Sequence, residues 1–334
     1  MVKIATLIPD GNYRSMITEE TDAHLESLGA VIRARGDRAA VTAQAPRLLA
    51  DAEVLFTGWG APSLQEAWLD GASRLRLICH CAGSVRGIIP PTVFGRGITL
   101  CHAAPIIADA VAEFCLTLEL MLLRRPHELS SSLRGGKSWG EVKSAGLDGH
   151  LLAAQLVGLV GSGYVAQRHI RLLKAVGARV RVADPFLTEG RAAELGVERA
   201  SLEQVFGESD VIAVHVPKTP ETHRMIGADL LARIKPGAIL IQNSRSWVMD
   251  QDALLRELRT GRFVAALDVF DQEPQPADSP FYQLDNVVVT PHVAGATRES
   301  YAHQGKAMAA EVERFSRGEP LRYQILAERY DQMA

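Results

Sequence analysis

Five residues, Leu156-Val157-Gly158-Leu159-Val160, run without a break into Gly161-Ser162-Gly163-Tyr164-Val165-Ala166, and a helical pattern from Gln167 to Val176 follows. A strand that must turn at once into a helix has to bend tightly. Gly161 permits the bend, Gly163 lets a ligand approach the backbone, and Ala166 keeps helix and strand close. Free N–H groups at the start of the helix then offer a site for a phosphate. Two glycines at a turn are common, so the context decides. Here the next strand ends in Val182-Ala183-Asp184, an acid 23 residues after Gly161, near the ~20 that brings a carboxylate to the ribose of an adenosine. Such a carboxylate accepts hydrogen bonds from both ribose hydroxyls and repels a 2′-phosphate. The pair of features predicts a bound dinucleotide, NAD over NADP.

The rest of the chain alternates strands and helices around this turn. Ile4 to Ile8, Val54 to Thr57, Leu75 to Cys79 and Ile98 to Cys101 read as strands, and Thr18 to Leu28 as a helix with Thr18 at its N-cap and Glu19 and Glu20 at its positive end. A long helix over about Ile107 to Leu123, between Pro105 and Pro126, is apolar on more than one side, as a helix packed against another domain or subunit would be. Ser130 to Gly149, with its serine run and Gly135-Gly136, reads as a long loop. Six strands follow: Leu156 to Val160, Val180 to Ala183, Val211 to Val216, Ala238 to Ile241, Val264 to Leu267 and Val287 to Val289. The chain closes with a helix from about Arg298 to Arg317. This order predicts an α/β protein with two Rossmann-like, doubly wound parallel sheets. A NAD-binding domain over 105–296 is inserted into a flavodoxin-like substrate domain made of 1–104 and 297–334.

Three polar groups follow strands. Arg245 lies in Gln242-Asn243-Ser244-Arg245, Glu273 in Asp268-Val269-Phe270-Asp271-Gln272-Glu273-Pro274, and His292 in Thr290-Pro291-His292. In a parallel sheet the C-terminal edge is where ligands bind, so the three can converge beside a cofactor. Their types suit hydride transfer to a 2-oxo acid. Arg245 offers a planar fork to a carboxylate and polarises the neighbouring carbonyl. His292 gives a proton to that oxygen and takes it back in reverse. Glu273 beside the imidazole orients it. Singly, an Arg or Glu after a strand is usually a solvated charge, and histidines such as His24 or His223 need no catalytic role; the ordered set behind the glycine turn carries the reading.

These segments resemble the D-2-hydroxyacid dehydrogenase family, from about Val111 to Ser300. The carriers are Val111-Ala112-Glu113, Gly161 to Ala166, Val214-His215-Val216-Pro217, Asn243-Ser244-Arg245, Asp268-Val269-Phe270 with Glu273-Pro274, and Pro291-His292-Val293-Ala294-Gly295. The resemblance implies that Arg245, Glu273 and His292 are catalytic and that Asp268 holds the nicotinamide carboxamide. It also implies that Tyr164, Val165, Asp184, Pro217 and Asn243 line the cofactor cleft, with Ser244 and Gly295 beside them. It further implies a loop for the substrate carboxylate at Gly83, Ser84 and Val85, and a homodimer built on the 107–123 helix. The chain departs from the family with Val85 for a second glycine, Gly87 for an aspartate, and Ser246-Trp247 where glycine is usual after the arginine. Arg86 adds charge beside the loop. Glu273 argues against a formate dehydrogenase, which has Gln there. Trp59 and Trp139 are further candidates for the substrate pocket. An NAD-responsive binding or corepressor module without turnover is the alternative reading.

Charge sets the limits on other partners. With 36 Lys plus Arg against 39 Asp plus Glu, the net charge of −3 lacks the basic excess of a nucleic-acid binder. The 47% hydrophobic and 22% charged fractions are those of a globular protein. Four cysteines, Cys79, Cys81, Cys101 and Cys115, are few for this length and fit a reducing compartment. Cys79-His80-Cys81 with His102 could be imagined around a metal, but Cys79 and Cys81 share one strand face and read better as small buried apolar residues. No metal is expected. No export signal or membrane span is visible, so the cytoplasm is the expected location.

Overall fold

The computed structural model describes residues 2–145 and 148–332, and the chain forms two compact units, Met1–Ala108 with Ala296–Ala334, and Asp109–Gly295. In the first unit, five strands, β1 (Val2–Thr6), β2 (Gly29–Arg33), β3 (Val54–Gly58), β4 (Leu77–Cys81) and β5 (Thr99–His102), lie parallel in the order 2-1-3-4-5. This is the flavodoxin-like order. Alternation along the strands sends Ile4, Phe56, Leu77 and Cys79 to one face, where Met308, Ala309 and Val312 of the helix Arg298–Arg317 cover them. Ala5, Leu55, Ile78 and Leu100 face the other side, under Val41, Leu48 and Trp68. Cys79 and Cys81 fall on one face, as the two-residue spacing predicts, and both are buried. Glu311, fully buried, accepts hydrogen bonds from the backbone N–H groups of Arg322 and Tyr323. It thereby anchors the tail that adds Gln324–Ile325 antiparallel to β5, a strand that departs from the all-parallel expectation.

The second unit holds a seven-stranded parallel sheet. Its strands are β6 (Leu156–Val160), β7 (Arg179–Ala183), β8 (Glu198–Arg199), β9 (Val211–Val214), β10 (Ile239–Gln242), β11 (Val264–Leu267) and β12 (Val287–Val289), in the spatial order 12-11-10-9-6-7-8. The order reverses between β6 and β9, where a doubly wound sheet opens a crevice at its C-terminal edge. The two-residue β8 is the seventh strand that the sequence pattern of six did not include. Val160 pairs with Ala183 and Val214, Val214 with Gln242, Gln242 with Leu267, and Leu267 with Val289. That register ends six strands at one level. The residues that follow them, Gly161, Asp184, His215, Asn243, Asp268 and Thr290, therefore share a single edge.

The 104–124 region is one helix, Ala104–Arg124, with Pro105 in its first turn. The segment expected to be a loop after it contains two helices, Pro126–Arg134 and Trp139–Ser144. The second starts with a capping box: Ser138 Oγ accepts from Glu141 N and the Glu141 carboxylate accepts from Ser138 N. Gly146 and Leu147 of that expected loop lie outside the described residues. Among the described residues no helix is long and apolar enough to cross a membrane.

Candidate active site

The glycine turn is built as the sequence requires. Gly161 has φ of +98°, and a Cβ on it would lie 2.8 Å from the carbonyl oxygen of His215, so only glycine fits. Gly163 is exposed at the N-cap of the helix Tyr164–Ala175 and has open space where a Cβ would be. Ala166 is fully buried against the sheet, while Tyr164 is largely exposed and Val165 half-buried. Asp184 ends β7. One of its oxygens accepts from both the N–H and the hydroxyl of Ser162 at 2.7 Å, and the other from Phe186 N at 2.8 Å. Ser162, the x of the fingerprint, ties the acid to the glycine loop; nothing in the spacing marks it for that role.

Arg245 leaves β10 half-buried, with its Nη1 donating to Ser244 O at 2.7 Å. Gln242 Nε2 donates to Arg245 O, and Ser244 Oγ donates to Gln242 Oε1, which fixes the turn. Burial pushes the Arg245 guanidinium below its usual range, and nearby Glu273 opposes the shift. Arginine starts so high that it keeps its charge. His292 sits at φ +55°, a left-handed conformation that histidine adopts more readily than most residues. Asp268, fully buried at the end of β11, holds that loop. Its Oδ1 accepts from Thr290 Oγ1 at 2.6 Å and Val293 N at 2.9 Å, and its Oδ2 from Ala294 N at 2.9 Å. Three of the bonds open to this carboxylate thus go to the 290–294 loop, a use the resemblance does not mention.

Glu273 Oε2 lies 2.8 Å from His292 Nδ1, and its Oε1 accepts from Phe270 N at 2.9 Å. A cavity of about 280 Å³ is lined by Arg245, Glu273 and His292 together with Lys218, Ser246, Trp247, Val269, Phe270 and Asp271. The three residues singled out in the sequence do meet. Trp247, a departure from the family pattern, forms part of the wall: its Nε1 donates to Thr219 O, Lys218 Nζ lies 4.5 Å from its ring centroid, and His223 packs against it. Lys218 was not singled out in the sequence. Its place directly after Pro217, itself half-buried, was the available signal.

With that geometry in view, the similarities are specific. Residues 116–294 match the model of the D-isomer specific 2-hydroxyacid dehydrogenase NAD binding domain. The chain belongs to that family. It is 35% identical over 254 residues to a glyoxylate reductase of Korarchaeum cryptofilum, covering 75% of this chain and 76% of the relative. It is 32% identical over 255 residues to a D-3-phosphoglycerate dehydrogenase of Archaeoglobus fulgidus, covering 76% of this chain but 48% of that one. The chain spans about half the length of the phosphoglycerate dehydrogenases it matches. A phosphoglycerate oxidoreductase structure from Rhizobium etli superposes with a TM-score of 0.78 at 28% identity, over 98% of this chain and 99% of the other. The apo D-mandelate dehydrogenase of Rhodotorula graminis, 22% identical, shares the fold with a TM-score of 0.83 over 97% of each chain.

The matched region is the family's NAD-binding domain, so NAD is the cofactor. The residues fit it: a backbone cradle that a Cβ at Gly161 would fill, open space at Gly163, and an acid at the end of β7. Gly295 follows the Asp268-anchored loop and is half-buried. In the first unit, Gly83 and Ser84 are half-buried, but the Val85 side chain is fully buried in the core, so only its backbone is available to a ligand. Arg86 Nη1 donates to Asp331 O at 3.2 Å. Trp59 donates to Gln304 Oε1 at 3.4 Å, and Trp139 is 75% exposed.

Proposed function

We propose that this chain interconverts a D-2-hydroxy acid and its 2-oxo acid, with Arg245, Glu273 and His292 as the catalytic set. The observation that carries the reading is the His292–Glu273 pair at 2.8 Å in one cavity with the Arg245 guanidinium. NAD, when bound, supplies or accepts the hydride. Arg245 binds the substrate carboxylate and polarises the adjacent carbonyl. With Nδ1 engaged by Glu273, Nε2 of His292 is the nitrogen that exchanges a proton with the substrate oxygen. Glu273, itself held by Phe270 N, meets Nδ1 and fixes the orientation of the ring. The cofactor is held by the 161–166 turn, by Asp184 at the adenosine ribose, and by Tyr164, Val165, Pro217, Asn243, Ser244, Asp268 and Gly295. In the first unit, the backbone N–H groups of Gly83, Ser84 and Val85 are the further groups proposed to bind a substrate carboxylate.

The relatives named glyoxylate reductase and phosphoglycerate dehydrogenase direct the first assays to small 2-oxo acids. A panel of glyoxylate, hydroxypyruvate, pyruvate and phenylpyruvate followed by loss of NADH tests the reading. Turnover of at least one, abolished in His292→Ala, is expected. NADH binding without turnover on any 2-oxo acid would instead support the corepressor-type module. The helix Ala104–Arg124 exposes Leu120 at 40% and is the proposed dimer surface. Light scattering is expected to give twice the 36.2 kDa chain mass, falling to the monomer in Leu120→Arg.

A further inference from the structure

Four polar side chains lie inside the Asp109–Gly295 unit, apart from Arg245, Glu273 and His292. Cys115 and Glu119 are one turn apart on the helix Ala104–Arg124 and share a face. His169 lies in the helix Tyr164–Ala175, and His215 directly follows β9. Cys115, Glu119 and His169 are completely buried and His215 is 9% exposed. The Cys115 sulfur and one ring nitrogen from each histidine all fall within 4.8 Å of one another. His169 Nδ1 is 3.0 Å from His215 Nε2, and His169 Nε2 is 3.2 Å from Glu119 Oε2.

A proton on His169, paired with the Glu119 carboxylate, would make this a plain buried hydrogen-bond network. That account leaves Glu119 Oε1 and Asn243 Oδ1 buried with no hydrogen-bond partner among the described residues, as ligation of an ion by the neighbouring atoms also would. It also leaves the 2.7 Å approach of Asn243 Nδ2 to the Cys115 sulfur as a donor spent on a neutral thiol, a weak acceptor.

We propose that Cys115 Sγ, His169 Nδ1 and His215 Nε2 ligate a divalent ion of the zinc class. One thiolate and two imidazoles form a borderline-soft set suited to zinc, and three protein ligands leave a fourth position open. The surroundings match what such a site requires. A metal-bound histidine usually gives its other N–H to a carboxylate, and Glu119 stands at that nitrogen of His169. A metal-bound thiolate is a strong acceptor, and the Asn243 amide N–H points at it. Binding expels the thiol proton to solvent, so the dication, the thiolate and the Glu119 carboxylate sum to zero charge. Ligand atoms about 3.3–3.8 Å apart surround a tetrahedral ion at the usual bond lengths. The histidine pair must therefore open slightly and the sulfur must draw in, movements within reach of side-chain rotation. The ion would tie the helix Ala104–Arg124 to the helix of the glycine turn and to the residue whose carbonyl packs on Gly161. Ligands drawn from three separate elements have no sequence spacing to announce them, and so none was expected.

Metal content decides the matter, independently of turnover. Protein prepared without chelator or metal-affinity resin, then dialysed against zinc and freed of excess, is expected to hold one zinc per chain by plasma mass spectrometry. Cys115→Ser and His169→Gln should lose it, and Glu119→Gln should keep it with affinity reduced ~10- to 100-fold. Should a variant fail to fold by circular dichroism, wild-type protein titrated with Co²⁺ gives the second readout: a sulfur-to-cobalt charge-transfer band saturating at one equivalent. Wild type that takes up no zinc and shows no such band overturns the proposal. So does uptake unchanged in a folded Cys115→Ser,His169→Gln double variant.

Discussion

Glu273 has both carboxylate oxygens committed, one to Phe270 N and one to His292 Nδ1, so it presents a fixed acceptor to the imidazole. Losing the imidazole removes the proton donor; losing the charge only loosens it. His292→Gln is therefore expected to lower kcat by ~10²–10⁴-fold while NADH binding, followed by fluorescence, stays near wild type. Glu273→Gln keeps a hydrogen-bond acceptor and should cost less than His292→Gln, mostly in kcat. Equal losses in the two variants would contradict a supporting role for the glutamate. Arg245 differs in kind. Arg245→Lys retains a cation but not the fork, and steady-state kinetics are expected to show a KM for the 2-oxo acid raised at least ~10-fold. An unchanged KM would remove Arg245 from carboxylate binding.

At the scale of elements, the glycine turn was the most legible part of the chain because its physical requirements are local. Strand, φ > 0 at Gly161 and helix follow one another within a few residues. The C-terminal helix Arg298–Arg317 was legible for the same reason, carrying a Thr297 cap whose hydroxyl accepts from Ser300 N. The strands β6, β11 and β12 likewise fall where their apolar runs begin and end. What escaped was set by tertiary context. β2 is half-exposed and weakly patterned, β8 has two residues, and the edge strand after Tyr323 exists because buried Glu311 holds the tail. The helix Trp139–Ser144 was hidden by nearby glycines and serines, although the Ser138–Glu141 capping box was there to be read. In the site, residue types after strands were readable, whereas Ser162, Lys218 and the Trp247 wall depend on packing. The turn itself yields a prediction. Gly161→Ala forces a Cβ to 2.8 Å from a backbone oxygen at φ +98°, a clash that side-chain rotation does not relieve. Calorimetric titration should show NADH affinity reduced by at least ~10-fold, with a lowered Tm, since such strain costs about 1–3 kcal/mol. Asp184→Ala leaves the turn intact but removes the acid that Ser162 grips. The ratio of NADH to NADPH activity should shift toward NADPH, and an unchanged ratio would overturn the ribose assignment.

For the molecule as a whole, acid stability is set by imidazoles buried without charge. His80 and His102 occupy paired positions on β4 and β5, each about 1% exposed, and hydrogen-bond the backbone of Ser84 and Gly83. Burial lowers both from the ordinary 6.5 to about 4. Between those values the unfolded chain takes up protons that the folded chain refuses. Their contribution is thus complete above about pH 6.5 and lost as pH falls toward 4, up to about 3 kcal/mol for each. His215, also lowered by burial, acts in the same direction from the other unit. Glu128, bonded by Arg125, and Asp210, whose burial is outweighed by the bond from Lys235, are held below their usual ranges, so their contributions are complete above about pH 4.5 and lost below it. The interval from pH 6.5 to 4.5 therefore isolates the histidines. Urea unfolding across it should show stability falling steadily, and a His80→Gln,His102→Gln variant, unable to take up those protons, should show a shallower but not flat dependence. With two compact units, the unfolding is followed by one probe in each. A double variant with the wild-type slope would mean that the two imidazoles are already charged in the folded chain, or that water reaches them beneath the Gly83–Ser84 loop.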